Sequence, residues 1–143
     1  MSATIKRGRK GEFMPVKKAI KAYSEEKLNC AQSVLRGFQK DMGISDEEIV
    51  EAKKLGGGRA PGGKCGALHS ALELLENDLE KKELSATFAQ KAGAEDCRLI
   101  RAMKKISCGQ CVEHASSLLA DIRQQGEVIS RIEKTIAKKK RRV

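Results

Sequence analysis

The chain has no tryptophan, one tyrosine, three phenylalanines and two prolines among its 143 residues. So few aromatic rings leave no platform for stacking nucleic-acid bases. With interior proline nearly missing and Ala and Leu supplying most of the apolar content, the composition reads as all-α, a compact bundle of about six helices. No apolar run has the length of a signal peptide core or a membrane span, which predicts a cytoplasmic protein. Acidic excess is also lacking, since the net charge is +10. That charge is uneven: residues 1–18 carry +5 and residues 131–143 carry +6, which leaves about −1 for residues 19–130. A near-neutral body with two basic ends suits solvated tails better than a nucleic-acid-binding face.

What the chain does have is glycine and cysteine, concentrated around Gly56-Gly57-Gly58-Arg59-Ala60-Pro61-Gly62-Gly63-Lys64-Cys65. This run predicts an irregular loop that delivers Cys65 to a helix N-terminus, because Ala67, Leu68, Ala71, Leu72 and Leu75 follow at helical spacing. The helix dipole there, with Lys64 and Arg59 close in sequence, predicts a Cys65 thiol biased toward thiolate.

Three segments are expected. Residues 1–13 read as a disordered basic extension, 14–125 as the helical cysteine-containing domain, and 126–143 as a helical extension with a basic tail. Within the domain, helices are predicted over 16–23, over 30–42 with Asn29 as cap and Gly43 as stop, and from the Ser45/Glu48 capping box to about 54. Further helices are predicted over 65–76, over 79–92 with Leu79, Leu84, Phe88 and Ala92 on one face, over 95–104, and from Cys108 onward behind Ser107. The last helix has a stripe of Val112, Ala115, Leu119, Ile122, Gly126, Ile129, Ile132 and Ile136, longer than a compact core requires. It reads either as a homodimer surface or as a solvated tail.

Cys30, Cys65, Cys97 and Cys108 each fall at or near a predicted helix start, the position where proteins lower thiol pKa values. Cys108-Gly109-Gln110-Cys111 is a C-x-x-C pair, able to form a disulfide or chelate a metal. The βαβ setting of thioredoxin-type motifs is missing, and Val112 stands where haem attachment needs His. Gly58-x4-Gly63-Lys64 misses a phosphate-binding loop, because Cys65 follows and a helix precedes. His69 and His114 are candidate ligands or bases, although an isolated helical histidine is more often partly exposed and idle.

The order Asn29-Cys30-Ala31-Gln32-Ser33, then the Gly-rich loop into Cys65-Gly66-Ala67, then Phe88-x4-Gly93-x3-Cys97-Arg98, then Cys108-x3-Val112, resembles the redox-active proteins named for a C…GCAxxG…C…C signature. The resemblance spans 16–122. It implies a small all-helical domain with a redox role and four hallmark cysteines, Cys30, Cys65, Cys97 and Cys108. These would serve as thiols or as ligands of an iron–sulfur cluster or other metal ion, with Cys111 or His69 as alternates, and Cys65, Cys108 and Cys111 as the reacting thiols. An electron-transfer or thiol partner protein is expected. Two departures stand out: Ser70 replaces the last Gly of the CGAxxG element, and Cys111 is additional. Cys108-x2-Cys111-x2-His114 also comes close to the peroxide-reducing alkylhydroperoxidase pattern, which has three residues between the second Cys and His. A basic-tailed interaction module with structural cysteines is the remaining alternative.

Overall fold

In the computed structural model, residues 14–142 are described, with side chains through 139. The described residues form seven α-helices: α1 (Met14–Glu25), α2 (Cys30–Met42), α3 (Asp46–Glu51), α4 (Gly66–Glu73), α5 (Asp78–Ala92), α6 (Cys97–Met103) and α7 (Cys108–Arg142). Short 3-10 turns lie at Ala52–Leu55 and Pro61–Gly63, and an isolated antiparallel backbone β-bridge pairs Lys64 with Asp96. The fold is all-α, as composition predicts, with seven helices rather than about six. Residues 1–13, expected to be disordered, lie outside the described residues. No helix among those described is long and apolar enough to cross a membrane.

Local chemistry sets the helix starts. Asn29 accepts from the Gln32 amide while Gln32 Oε1 accepts from the Asn29 amide, a reciprocal box at the start of α2. Ser45 with Glu48 and Ser107 with Gln110 repeat the device at α3 and α7. The Gln of Cys108-Gly109-Gln110-Cys111 is therefore a capping residue. Asp96, which the sequence reading passed over, accepts from the Leu99 amide and starts α6 at Cys97 rather than at 95.

Packing corrects two further expectations. Leu79 is 75% exposed, whereas Leu84, Phe88 and Ala92 are fully buried. Five residues of α-helix turn about 140° past a full revolution, so Leu79 points away from the face its successors share. Helix α4 ends at Glu73 instead of running to 76, although Leu75 beyond it is still buried.

The core is built around the first half of α7. Helix α1 packs on α2 and α7, α4 packs on the same two, and α5 packs on α7. Val112, Ala115, Leu119 and Ile122 of α7 meet Val16, Val34, Phe38, Leu68, Leu84 and Phe88 in one apolar cluster. From Glu127 to Lys139 every α7 side chain is exposed, Ile129, Ile132 and Ile136 at 56%, 53% and 48%.

Candidate functional site: a five-cysteine cluster

Cys30, Cys97 and Cys108 are the first residues of α2, α6 and α7, and Cys65 is the residue that caps α4. Cys111 lies one turn into α7. All five line one small cavity of about 20 Å³, together with Ile100 and Arg101. None is in a disulfide.

The Gly-rich loop gathers these helix starts. On one side, Asn29 Nδ2 donates to the Lys53 carbonyl at 2.8 Å, which ties the start of α2 to the 3-10 turn leading into the loop. On the other, the Cys65 amide donates to the Glu95 carbonyl at 2.8 Å, and the backbone of Lys64 pairs with that of Asp96 in an isolated β-bridge, so the loop is joined to the start of α6. Gly66 makes the closest approach possible: a Cβ there would come within 2.8 Å of Cys30 Sγ and 3.0 Å of the Leu55 carbonyl. Only a residue without a side chain lets α4 lie this close to the Cys30 sulfur.

Ser70, where the signature has Gly, donates its hydroxyl to the Ala31 carbonyl at 2.9 Å in a buried position. The departure therefore adds a polar tie between α4 and α2 one residue beyond Cys30.

The sulfurs differ in environment. The Cys30 thiol is directed at Cys65, and this hydrogen bond, with burial, pushes Cys30 far above the ordinary thiol range, although the Ala67 and Gly57 amides pull the other way. Cys65 is directed in turn at Cys111, and its pKa is pushed up to about 12 by that bond and by burial, against the pull of Cys30. The dipole argument for a Cys65 thiolate is thus overturned. The hydrogen bond to Cys111, together with burial at 5% exposure, outweighs the helix N-terminus. The Leu68 amide also pulls toward the thiolate, but without forming a side-chain capping bond. Arg59, expected beside Cys65, is committed elsewhere: it donates to the Gly56 and Lys53 carbonyls at 2.8 and 3.2 Å.

Cys108 and Cys30 are half-buried, whereas Cys65, Cys97 and Cys111 are buried. Two groups that the sequence reading did not single out attend Cys108. The Arg101 guanidinium and the Tyr23 hydroxyl both lie beside its sulfur on the wall of one groove. Burial raises the Tyr23 pKa, with Cys108 and Cys30 adding to the effect. Burial also raises Cys97, opposed by the charge of Arg101. Arg101 was legible in principle, four residues after Cys97 on one helix face. Tyr23 was not, because only the packing of α1 on α7 brings it near.

The two histidines lie apart from the sulfurs. His69 Nε2 stands 3.6 Å from Glu73 Oε1, one turn along α4. His114 is 6% exposed and stacks on Phe88 with ring centroids 5.6 Å apart. Neither of its nitrogens has a well-formed hydrogen bond; burial and Lys91 lower its pKa, with the Thr87 backbone opposing. A separate groove of about 470 Å³ between Met42, Leu74, Asn77 and Ile122 contains no cysteine.

Five thiols are a donor set that soft metals and iron–sulfur clusters accept. Among the described residues no group of three or more His, Cys, Asp or Glu is disposed to hold a metal ion. The space between the sulfurs, about 20 Å³, admits roughly one water. The arrangement defines a small helical domain with adjoining free thiols at the convergence of four helix starts. The chain belongs to the family described as "Putative redox-active protein (C_GCAxxG_C_C)", which it matches over residues 28–122. No curated protein and no solved structure matches the chain.

Proposed function

We propose that the protein is a thiol–disulfide redox carrier in which Cys108 meets the partner and the cysteines behind it store the electron pair. A redox role follows from the family. The observation that supports this form of it is the gradient of exposure: half-buried Cys108 shares one cavity with buried Cys65, Cys97 and Cys111.

In the first step Cys108 Sγ attacks a disulfide R–S–S–R′, forming a Cys108–S–S–R bond and releasing R′–SH after protonation. Cys111 Sγ then attacks Cys108 Sγ, closing an intramolecular disulfide and releasing R–SH. The protein loses two protons and two electrons, and the substrate gains both. Residues three apart on a helix have Cβ atoms about 5–6 Å apart where a disulfide needs about 4 Å, so the first turn of α7 tightens by an ångström or more. Cys65, directed at Cys111, can pass the disulfide inward by a further exchange that changes neither electrons nor protons overall.

The test is oxidation of the reduced full chain by a simple disulfide, followed by mass mapping of the linkages. Loss of two hydrogens with a bond to Cys111 is expected. Cys108→Ser abolishes the reaction, and Cys111→Ser accumulates the mixed disulfide on Cys108. Unchanged thiols after oxidation, or stoichiometric iron, sulfide or zinc in protein prepared without oxygen, overturn the reading.

A further inference from the structure

Cys108 and Arg101 form the shared wall of two surface grooves. One, about 450 Å³, runs toward Lys104, Lys105, Ile106 and Gln110. The other, about 390 Å³, runs toward Tyr23, Lys27, Leu28 and Gly57. Neither is lined by a carboxylate, whereas Arg101 stands between them, Lys104 and Lys105 in the first and Lys27 in the second. This concentration of positive charge is local. Residues 97–112 carry two Arg and two Lys and no acid, within a body (residues 19–130) whose net charge is about −1.

The backbone singles out the same places. Among the described residues the non-glycine positions with positive φ are Lys27, at 59°, and Lys104, at 55°. Lys104 occupies the position ending α6 that glycine usually takes. Each groove therefore keeps a lysine where the backbone favours glycine.

We propose that the oxidant read by Cys108 is a small anionic disulfide with a carboxylate on each half, one half in each groove. This rests on the thiol-exchange reading above and specifies its substrate. The two substituents of a disulfide leave the S–S bond with a dihedral near 90°, so they diverge from the sulfur under attack. Two grooves meeting at one nucleophile match that shape. Each volume lies within the usual range for small-molecule sites, and so suits a half of di- or tripeptide size. Cations on both sides raise the local concentration of anions and hold the carboxylates while Cys108 takes one sulfur and the other half leaves as a thiol.

The experiment compares three low-molecular-weight disulfides on the reduced full chain: oxidised glutathione (anionic), hydroxyethyl disulfide (neutral) and cystamine (cationic). Each rate of Cys108 modification is divided by the rate with a free thiol in solution. The expected order is anionic, neutral, cationic, with about tenfold or more between the extremes at low salt, shrinking near 1 M salt as the screening length falls to about 3 Å. Lys27→Gln with Lys104→Gln and Lys105→Gln narrows the gap between the anionic and neutral reagents, whereas Lys139→Gln on the exposed part of α7 leaves it intact. Equal normalised rates for all three reagents, or fastest reaction with cystamine, overturn the substrate assignment while leaving thiol exchange standing. Oxidation by none of them overturns thiol exchange itself. Oxidised glutathione no faster than the neutral reagent, together with fast exchange with a disulfide in an acidic protein, also overturns the assignment and gives the grooves to a protein partner.

Discussion

Helix α7 is one continuous helix of 35 residues whose two halves meet opposite fates. Its first half carries Cys108, Cys111, Val112, Ala115, Leu119 and Ile122 into the sulfur cavity and the core. Its second half repeats the same three-and-four spacing with Ile129, Ile132 and Ile136, and leaves them about half exposed. Periodicity describes a face a helix offers; burial requires a second surface to receive it. Helices α1, α2, α4 and α5 supply that surface for the first half, and among the described residues nothing buries a side chain from Glu127 to Lys139.

The largest expected effect separates the halves directly. Leu119→Ala removes a fully buried side chain and is expected to cost about 2–5 kcal/mol in urea unfolding of the reduced protein. Ile132→Ala, 53% exposed, is expected to cost less than about 0.5 kcal/mol. Comparable costs would erase the contrast and mean that the second half packs against another chain.

Two glycines sharpen the comparison. Gly66→Ala drives a methyl to within 2.8 Å of Cys30 Sγ and is expected to destabilise by about 1–3 kcal/mol while disturbing thiol reactivity. Gly126→Ala, with nothing within 4 Å of the new carbon, is expected to stabilise by about 0.5–1 kcal/mol through helix propensity alone. Melting curves with thiol-labelling rates measure both.

The last contrast concerns pH. Cys65 is pushed up to about 12, so the folded chain keeps a proton that the unfolded chain releases near pH 8.5. Stability is complete below about pH 8.5 and falls as pH rises toward 12, at up to about 1.4 kcal/mol per pH unit from this thiol. On the acid side the lowered pKa of His114 acts in the opposite sense: stability present above about pH 6.5 is lost as pH falls below it. Urea midpoints across pH 5–10 are expected to form a plateau between these limits. Cys65→Ala lessens the alkaline loss without abolishing it, because the raised Cys30 and Cys97 thiols contribute in the same sense; it leaves the acid side, and substitutions in the second half of α7 move neither.

Much of the fold is written in short-range signals. Asn29, Ser45 and Ser107 start α2, α3 and α7 where the capping patterns place them. Boundaries failed where a longer-range or angular factor intervened, as with Leu79 on the wrong face and the unforeseen Asp96 cap. At the sulfur cluster, the helix-start positions of four cysteines were legible, but the neighbours that set the Cys65 thiol were not. A dipole acts along one helix, whereas the hydrogen bond to Cys111 and burial depend on how other elements pack against it.

The order of residues by itself determined that this chain is helical, where most helices begin, that the Gly-rich loop stands before Cys65, and that its cysteines follow a family pattern. Those properties depend on hydrogen bonds and side-chain spacing within a few residues. Tertiary structure alone decided that five sulfurs share one cavity, that Tyr23 and Arg101 attend Cys108, and that Cys111 and burial together set the Cys65 thiol. Sulfurs up to 81 positions apart, from Cys30 to Cys111, become neighbours only when helices stack, and local chemistry has no term for that contact.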